Sequence, residues 1–208
     1  RRLEGINIKL TNKPYDGGIA YTTHVQTFGW QGTDVNDPTT WKTNGQMAGT
    51  SGLGKRLEAI CITLTGDMAD HYDVYYRVHA QTFGWLGWAK NGAPAGTAGL
   101  GRRLEGIQIV VVKKGETFDQ NMGGITSKQA NAYVANQGLS PILGQSPTNA
   151  EAPVVPGEGT PNVVYKTHVQ TFGWQAWKYN GAMSGTSGLA RRLEGINIKL
   201  TNKPYDGG

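Results

Sequence analysis

RRLEGINIKLTNKPYDGG occupies residues 1–18 of the chain and returns, without a single change, as residues 191–208. Chance cannot produce so long an identity between unrelated segments, and the two copies define a period of 190 residues (191 minus 1). We interpret the chain as one unit of a tandem array cut with a short overlap. The alternative is that one strand was copied deliberately to the other end, to permit permutation or swapping. Both interpretations make this a repeat protein.

Three shorter repeats lie inside the 190-residue unit. They begin with IAYTTHVQTFGW (19–30), VYYRVHAQTFGW (74–85) and VVYKTHVQTFGW (163–174). In each repeat a second Trp, an Asn-Gly pair, a Gly-Thr element and an arginine-led strand such as RRLEGINIKL follow. Alternating apolar and polar residues predict two strands per repeat, of which the last, such as RLEGINIKL, should be half buried, and Asn-Gly is typical of a hairpin. Each repeat should therefore contain about four strands in roughly forty residues, and neighbouring repeats must pack together.

The composition indicates an all-β protein. Glycine accounts for 31 residues, and Thr, Val, Ile, Tyr and Trp recur between turn residues. The net charge of +5 comes from Lys and Arg spread over the repeats rather than gathered in one tract, which does not favour nucleic-acid binding. Cys61 lies in the apolar run AICITL, so we expect it to be a small buried hydrophobe, and one cysteine excludes a disulfide within the chain.

The shared pattern resembles a known family. HVQTFGW, followed by Trp, Asn-Gly, AGTSG or AGTAG, and RLEGI, is similar to the ChW repeat, the clostridial hydrophobic repeat with a conserved tryptophan. All three repeats match this pattern over most of their length. The resemblance implies a secreted or surface protein of a Gram-positive bacterium, where such repeats occur in groups of three beside catalytic or adhesive domains. It implies a binding or scaffolding role, and it supplies no catalytic residue and no settled ligand.

The segment between the second and third repeats contains ITSKQANAYVANQGLSP, which predicts one short helix, followed by a proline-rich linker. The helix would be capped by Ser127 and closed by Gly138 and Pro141, with an apolar stripe of Ala130, Tyr133 and Val134. We therefore divide the chain into the last strand of a repeat and its joint (1–18), repeat one (19–66), repeat two (74–112), the helix and linker (113–162) and repeat three (163–208).

We expect an all-β domain of three four-stranded repeats with pseudo-threefold symmetry, either a β-prism, which we prefer, or a β-trefoil. The joints around repeat one are short, so the domain would contain repeats three, one and two in that order. Repeat three could complete it in its own chain or in a neighbouring chain. The identical strands 1–10 and 191–200 would then compete for one position, which favours strand swapping and head-to-tail self-association.

Residues that recur in every repeat are the candidates for a site. Sugar-binding modules use exposed tryptophan faces with polar neighbours. The tentative ligand-binding residues are therefore Trp30, Trp41, Gln26, Trp85, Trp88, Gln81, Trp174, Trp177 and Gln170. For the tryptophans we nevertheless favour core positions. We expect three structural, hydrogen-bonded histidines, His24, His79 and His168, and three ion pairs that fix repeat packing, Arg56–Glu58, Arg103–Glu105 and Arg192–Glu194.

The sequence offers no nucleophile with a base, no paired carboxylates, no metal cluster and no phosphate-binding loop, so we expect no enzyme, no metal and no cofactor. The preferred function is a structural stalk or fibre of tandem domains, because near-identical units extend length without distinct sites. The alternative is an adhesin module that binds a carbohydrate or cell-wall polymer. We expect an extracellular or cell-surface location, head-to-tail self-association, no nucleic-acid partner and no membrane insertion.

Overall fold

Strands dominate the structure. The computed structural model of the chain describes residues 4–136, 164–169, 173–174, 176, 178–179, 181–185 and 193–197. Within these residues the strands are joined by turns, one α-helix, α1 (Asp67–His71), and two 3-10 helices, Pro38–Thr40 and Met122–Gly124. In this part of the chain, none of the helices has the length and apolar character that a membrane crossing requires. The predicted all-β class is confirmed.

Each repeat forms five strands instead of the four expected. The extra strand is a two-residue segment after the Phe-Gly turn, where Gly29 takes a φ of 73° and returns the chain onto the preceding strand. In chain order the strands are β1 (Gly5–Asn7); β2 (Gly18–Val25), β3 (Gly29–Trp30), β4 (Lys42–Thr43), β5 (Met47–Gly49) and β6 (Leu57–Thr65) of repeat one; β7 (Tyr72–Ala80), β8 (Gly84–Trp85), β9 (Ala89–Lys90), β10 (Ala95–Ala98) and β11 (Leu104–Lys113) of repeat two; β12 (Tyr133–Ala135); and β13 (Val164–Val169), β14 (Gly173–Trp174), β15 (Lys178–Tyr179), β16 (Ser184–Gly185) and β17 (Leu193–Asn197) of repeat three.

The first strand of each repeat lies at its centre. β2 pairs antiparallel with β6, β3 and β4. In the same way, β7 pairs with β11, β8 and β9, whereas the partners of β13 are β17, β14 and β15. Strands β2 and β7 are buried on both faces. The last strands β6 and β11, which were predicted to be half buried, are also buried over most of their length. In both β2 and β7, residues that follow later in the chain cover the face that points away from the main core. On β7, Phe118 stacks on Tyr75 with ring centroids 4.1 Å apart, and on β2 the Thr22 hydroxyl donates to the Gln31 carbonyl.

The Asn-Gly pairs form turns, as predicted, but not hairpins. Asn44 and Gly45 have φ angles of 43° and 91°, and the Gln46 amide donates to the Thr43 carbonyl over 2.9 Å. The strand before this turn, β4, pairs with β2, whereas the strand after it, β5, pairs with β1. The hairpin prediction is therefore wrong, because the turn passes the chain from its own repeat to the preceding one.

Consecutive repeats are joined by antiparallel ladders of one kind. β5 of repeat one pairs with β1, β10 of repeat two pairs with β6, and β16 of repeat three pairs with β11. In each case a short strand after the Asn-Gly turn lies against the last strand of the repeat before it. One apolar core runs through these joints, and it includes Ile6, Tyr21, Ile62, Val78 and Ile109.

Among the described residues, β1 and β17 each make one of the two ladders that a single last strand makes in repeats one and two. β6 pairs with both its own first strand and the following repeat, and β11 does the same. Among the described residues, β1 pairs with β5 of the following repeat, and β17 pairs with β13 of its own repeat. The two strands lie beside each other, with Cα atoms within 8 Å. The pseudo-threefold prism or trefoil stays a prediction.

The segment after repeat two is not a helix. Residues 125–136, which we call the strap, run along repeat two as irregular chain with several bends and contain β12, which pairs in parallel with β10. The Lys128 amide donates to the Trp85 carbonyl over 2.7 Å, and the Gly87 amide donates to the Asn131 carbonyl over 3.0 Å. The prediction of a helix here is wrong, because these backbone groups pair with repeat two. Gly138, Pro141 and the proline-rich linker lie outside the described residues.

Candidate functional site

A buried tyrosine hydroxyl fastens repeat two to repeat one. The Tyr76 hydroxyl accepts a hydrogen bond from the Ile62 amide at 3.0 Å and donates to the Ala93 carbonyl. Ile62 belongs to the last strand of repeat one, and Ala93 follows the Asn-Gly turn of repeat two. Burial raises the pKa of Tyr76 well above its usual value, so the hydroxyl stays neutral and can donate.

Tyr21 makes the same contact one repeat earlier. Its hydroxyl accepts from the Ile8 amide at 2.9 Å and donates to the Gln46 carbonyl. Ile8 lies just beyond β1, in the quoted stretch that the two ends of the chain share. The joint between β1 and repeat one is therefore built like the joint between repeats one and two.

The glycines of the Asn-Gly turns add a second link at every joint. Gly45, Gly92 and Gly181 donate their amides to carbonyl oxygens of the preceding repeat's last strand, over 2.6, 2.7 and 3.0 Å. The acceptors are Ile8, Ile62 and Ile109. We call the tyrosine hydroxyl and the glycine amide together the clasp. Its glycine link is present in all three repeats, and its tyrosine is described in repeats one and two.

In repeats one and two, the asparagine of the same turn fixes the start of the first strand. Asn91 Oδ1 accepts from the Val74 amide at 2.9 Å, and the Asn91 amide donates to the Val74 carbonyl at 3.1 Å. Asn44 makes the same two bonds to Ile19 in repeat one, both at 3.1 Å. One side chain therefore holds the turn on its own repeat while the adjacent glycine reaches the preceding repeat.

A histidine, a glutamate and an arginine meet under the Phe-Gly-Trp turn of repeat one. His24 Nδ1 lies 3.2 Å from Glu58 Oε2, and Arg56 Nε lies 2.7 Å from Glu58 Oε1. Trp30 meets the His24 ring edge-on, with centroids 5.6 Å apart. Burial alone would raise the pKa of Glu58, but hydrogen bonds and charges from His24 and Arg56 lower it below its usual value. The carboxylate is thus held ionised between two donors.

Repeat two contains the same cluster. His79 Nδ1 lies 3.2 Å from Glu105 Oε2, and Arg103 Nη2 lies 2.9 Å from Glu105 Oε1. Trp85 meets His79 edge-on, again at 5.6 Å. The structure thus brings together the members of both described ion pairs and adds the histidine to each. The His–Glu contact bridges the first and last strands of one repeat, so the cluster holds a repeat together.

The tryptophans do not form exposed platforms. Trp41, Trp85 and Trp88 retain 5 %, 5 % and 4 % of their accessible surface and belong to the core. The tentative ligand-binding assignment therefore does not hold for these three rings, because a sugar cannot stack on a covered face. Trp30 is half-buried and lies against Tyr133 of the strap, with ring centroids 6.2 Å apart.

The turn that carries the predicted glutamines is strained. Gln26 and Gln81 are half-buried, and their amides donate to the carbonyls of Arg56 and Arg103 over 3.0 and 2.9 Å. The next residue in each turn is a threonine with a positive φ, 67° at Thr27 and 68° at Thr82. A β-branched residue is rarely found in this conformation. Both repeats hold the same unfavourable geometry at the same place.

An exposed aromatic ring lies at this turn in repeat one. The Phe28 side chain is 57 % exposed, and Leu53 is 59 % exposed in the loop before β6. Lys55 Nζ lies 6.0 Å from the centre of the Phe28 ring. The equivalent Phe83 of repeat two is half-buried and packs against the core. We call Phe28, Leu53 and Lys55 the Phe28 patch.

A buried arginine anchors the strap. Arg77 has no exposed surface, and its guanidinium donates to Gln108 Oε1 at 2.5 Å, Ser127 Oγ at 3.0 Å and the Ile125 carbonyl at 2.8 Å. It lies 4.5 Å from the centre of the Trp88 ring, a cation–π contact. Ser127, predicted to cap a helix, therefore binds this arginine instead.

Candidate residues of repeat three are described only in part. His168, Trp174 and Glu194 lie in β13, β14 and β17, where the backbone pairs as in the other repeats. Gln170, Trp177 and Arg192 lie outside the described residues. Among the residues that are described, no group of His, Cys, Asp and Glu could hold a metal ion. Cys61 is buried, and burial raises the pKa of its thiol.

The clasp was missed by sequence reasoning, although its signal is visible. A tyrosine stands three residues before the histidine in every repeat, at Tyr21, Tyr76 and Tyr165. On a strand this residue faces the side opposite to the histidine, which is the side of the preceding repeat. The recurrence of tyrosine there, rather than another apolar residue, indicates that its hydroxyl has a partner.

Residues 24–66, 79–113 and 168–202 match the family model of the Clostridial hydrophobic W repeat, ChW. The matches cover more than half of the chain, so the chain belongs to this family. The resemblance to three ChW repeats is thereby confirmed. Each match begins at the repeat's histidine and includes its Asn-Gly turn and last strand. No curated protein and no solved structure matches the chain significantly.

Proposed function

We propose that the chain is a non-catalytic module of a secreted or cell-surface protein and acts as a structural spacer, in a stalk or fibre of tandem domains. The clasp is the observation that carries this proposal. Tyr21, Tyr76 and the turn glycines recur, and each of them makes a hydrogen bond to the preceding repeat. An array of binding sites would instead leave its recurrent polar groups open to a ligand.

The same contact pattern supports a pseudo-threefold domain, with the β-prism preferred and the β-trefoil as the alternative. Three joints, β1 with β5, β6 with β10 and β11 with β16, use one kind of ladder. Repeating one contact between like units generates a symmetric assembly. In such a domain the repeats follow the order three, one, two, and tandem domains associate head-to-tail.

Chains of one, two and four 190-residue units test the spacer function. We expect the maximum dimension measured by small-angle X-ray scattering to rise linearly with unit number, since stiff repeat arrays extend along one axis. The matched control carries Tyr21→Phe and Tyr76→Phe in every unit, which weakens the joints and should make the array shorter and more flexible. A maximum dimension that does not rise with unit number would reject the spacer function.

A second function, that of an adhesin module for a glycan or cell-wall polymer, is favoured by the Phe28 patch. The ring of Phe28 and the cation of Lys55 offer stacking and a polar contact, next to Thr27 with its strained backbone. Glycan-array and peptidoglycan sedimentation assays should then show weaker binding for Phe28→Ala and unchanged binding for Met47→Ala, another exposed apolar residue. Absence of binding would leave the spacer function alone.

A further inference from the structure

The loop before the last strand has the same backbone shape in repeats one and two. It reads SGLG at residues 51–54 and AGLG at residues 98–101. The φ angles are 72° and 64° at Gly52 and Gly54, and 71° and 69° at Gly99 and Gly101. Glycine adopts these left-handed angles without the steric cost that other residues have. Because the backbone angles match, the amides of the two loops should point in the same directions.

Both loops also follow a strand that lies in the same place against the preceding repeat. A Cβ at Gly49 would lie 2.1 Å from the Glu4 carbonyl oxygen, and a Cβ at Gly96 would lie 2.4 Å from the Glu58 carbonyl oxygen. Glu4 and Glu58 are equivalent, since each follows an Arg-Leu pair at the start of a last strand. Each loop therefore begins beside a glutamate of the segment before it.

In repeat one this loop holds a carboxylate. Glu4 Oε2 accepts a hydrogen bond from the Leu53 amide, and Glu4 Oε1 accepts one from the Gly54 amide, both over 2.8 Å. Two consecutive amides thus bind the two oxygens of one carboxylate. Successive backbone amides that converge in this way form anion sites in proteins. The contact shows which chemical group this loop conformation accepts.

In repeat two the equivalent amides are open. The Glu58 carboxylate contacts His24 and Arg56 instead of the loop. Among the residues that the structure describes, no acceptor forms a hydrogen bond with the amide of Leu100 or Gly101. The loop is exposed to solvent at both of its glycines. A ligand from outside can therefore reach the two donors that Glu4 occupies in repeat one.

A cation lies beside these donors, and the strap fixes their position. A Cβ at Gly101 would lie 3.4 Å from Arg56 Nη2, so the guanidinium adjoins the loop. The Asn136 amide donates to the Ala98 carbonyl over 3.2 Å, and the Asn136 side chain donates to the Gly99 carbonyl over 2.9 Å. Donors that are already held in place bind an anion without the cost of ordering them.

We propose that this loop of repeat two binds the carboxylate of a glutamate side chain in an acidic peptide. The amides of Leu100 and Gly101 and the guanidinium of Arg56 are the donors. The ligand class follows from Glu4, a glutamate that occupies the same loop of repeat one. The site goes beyond the spacer function and uses no residue of the Phe28 patch. In the described repeats it is open in repeat two alone, so it is a single site and not an array.

Titration of the full, ¹⁵N-labelled chain with two blocked peptides tests the proposal by NMR. The peptides are acetyl-Gly-Glu-Gly-amide and its glutamine counterpart. We expect the glutamate peptide to move the amide resonances of Leu100 and Gly101, and the glutamine peptide to bind at least about fivefold more weakly, because charge-assisted hydrogen bonds are stronger. The amides of Leu53 and Gly54, which Glu4 already occupies, should not respond. No movement at Leu100 and Gly101, or an equal response to both peptides, would overturn the proposal.

Glu4→Ala is the matched variant, because it removes the carboxylate from the loop of repeat one. In this variant the glutamate peptide should move the amide resonances of Leu53 and Gly54 as well as those of Leu100 and Gly101. If Leu53 and Gly54 did not respond, the loop would not be the element that binds the carboxylate. Neither titration measures the length of an array, so failure of this site would leave the spacer function intact.

Discussion

At the scale of single residues, the hydroxyls of Tyr21 and Tyr76 have the largest consequence. Each satisfies two buried backbone groups, an amide of the preceding repeat and a carbonyl of its own turn. Buried backbone groups without partners are costly. Removal of this one oxygen atom would therefore break two hydrogen bonds at a joint between repeats, while the apolar contacts around it would remain.

Tyr76→Phe should lower the free energy of unfolding by about 1–3 kcal/mol, because it leaves the Ile62 amide and the Ala93 carbonyl buried without this partner. Urea unfolding measures the change. The control is Tyr72→Phe, at a buried tyrosine whose hydroxyl crosses no repeat boundary within the described residues, and it should change stability by no more than about 0.5 kcal/mol. Equal losses in the two variants would contradict the clasp.

Glu58→Gln should cost about 1.5–3 kcal/mol near neutral pH, because it removes the charge that His24 and Arg56 contact. The pKa of Glu58 is lowered by folding, so its contribution is present above about pH 4.5 and is lost as the pH falls through the folded-state pKa. The difference between the two proteins should therefore shrink in acid.

Urea unfolding at a series of pH values checks this expectation, with Glu116→Gln, at an exposed glutamate, as the control. The control should follow the unchanged chain at every pH. A deficit of Glu58→Gln that is as large at about pH 3 as at about pH 7 would show that the carboxylate charge is not the cause.

At the scale of elements, the strap is the part that sequence reasoning failed to find. Ala130, Tyr133 and Val134 have helical spacing, but Tyr133 and Val134 lie in β12 beside β10. Local pattern cannot show that an edge strand of another repeat is available as a partner. The strap is strand-like because Arg77 and the edge of β10 supply the partners that a helix would otherwise find within itself.

The repeats themselves were more accessible to prediction. The alternation in IAYTTHVQ and LEAICITL predicts the long strands β2 and β6, and the Asn-Gly pairs predict turns, all of which are present. The Asn-Gly turn could not predict which strand β5 pairs with, because its partner β1 lies about forty residues earlier in the sequence. The ion pair of Arg56 with Glu58 follows from two-residue spacing on one face, whereas the addition of His24 needs the β2–β6 register.

Gly87→Ala should detach the strap while leaving the repeats folded. A Cβ at this position would lie 2.1 Å from the Ala130 carbonyl oxygen, and backbone cannot move aside as a side chain can. We expect faster hydrogen exchange in residues 125–136 and a loss of about 1–3 kcal/mol. The control Gln129→Ala shortens an exposed side chain of the strap and should leave its exchange unchanged. Undiminished protection of the strap in Gly87→Ala would refute the contact.

At the scale of the whole molecule, the duplicated ends decide which strand closes the domain. β1 and the residues just after it contribute the buried side chains of Ile6, Ile8 and Leu10 to the core. The identical residues 196, 198 and 200 give the same apolar face at the other end of the sequence. If one copy of the strand is deleted, we therefore expect the other copy to take its place in the core.

A chain without residues 1–18 should fold as a monomer in which β17 pairs with both β13 and β5. Light scattering should give a single mass at every concentration, and urea should unfold the protein in one cooperative step. A chain without residues 191–208 is the matched control. It keeps β1, which should then pair with both β5 and β13, so we expect it to fold as a monomer as well. If the chain without residues 1–18 failed to fold, the strand at 191–200 would be unable to replace the strand at 1–10.

The direction of the ladders between repeats bears on how such a chain is made. β5 pairs back to β1, β10 to β6, and β16 to β11, and even β12 reaches back to β10. Every joint thus unites a newer strand with one that left the ribosome earlier. Domains fold N-terminal part first during synthesis. When a repeat leaves the ribosome, the strand with which it pairs is therefore already present. A polypeptide of many units can fold as it is synthesised, and only the last strand made then has an unpaired edge.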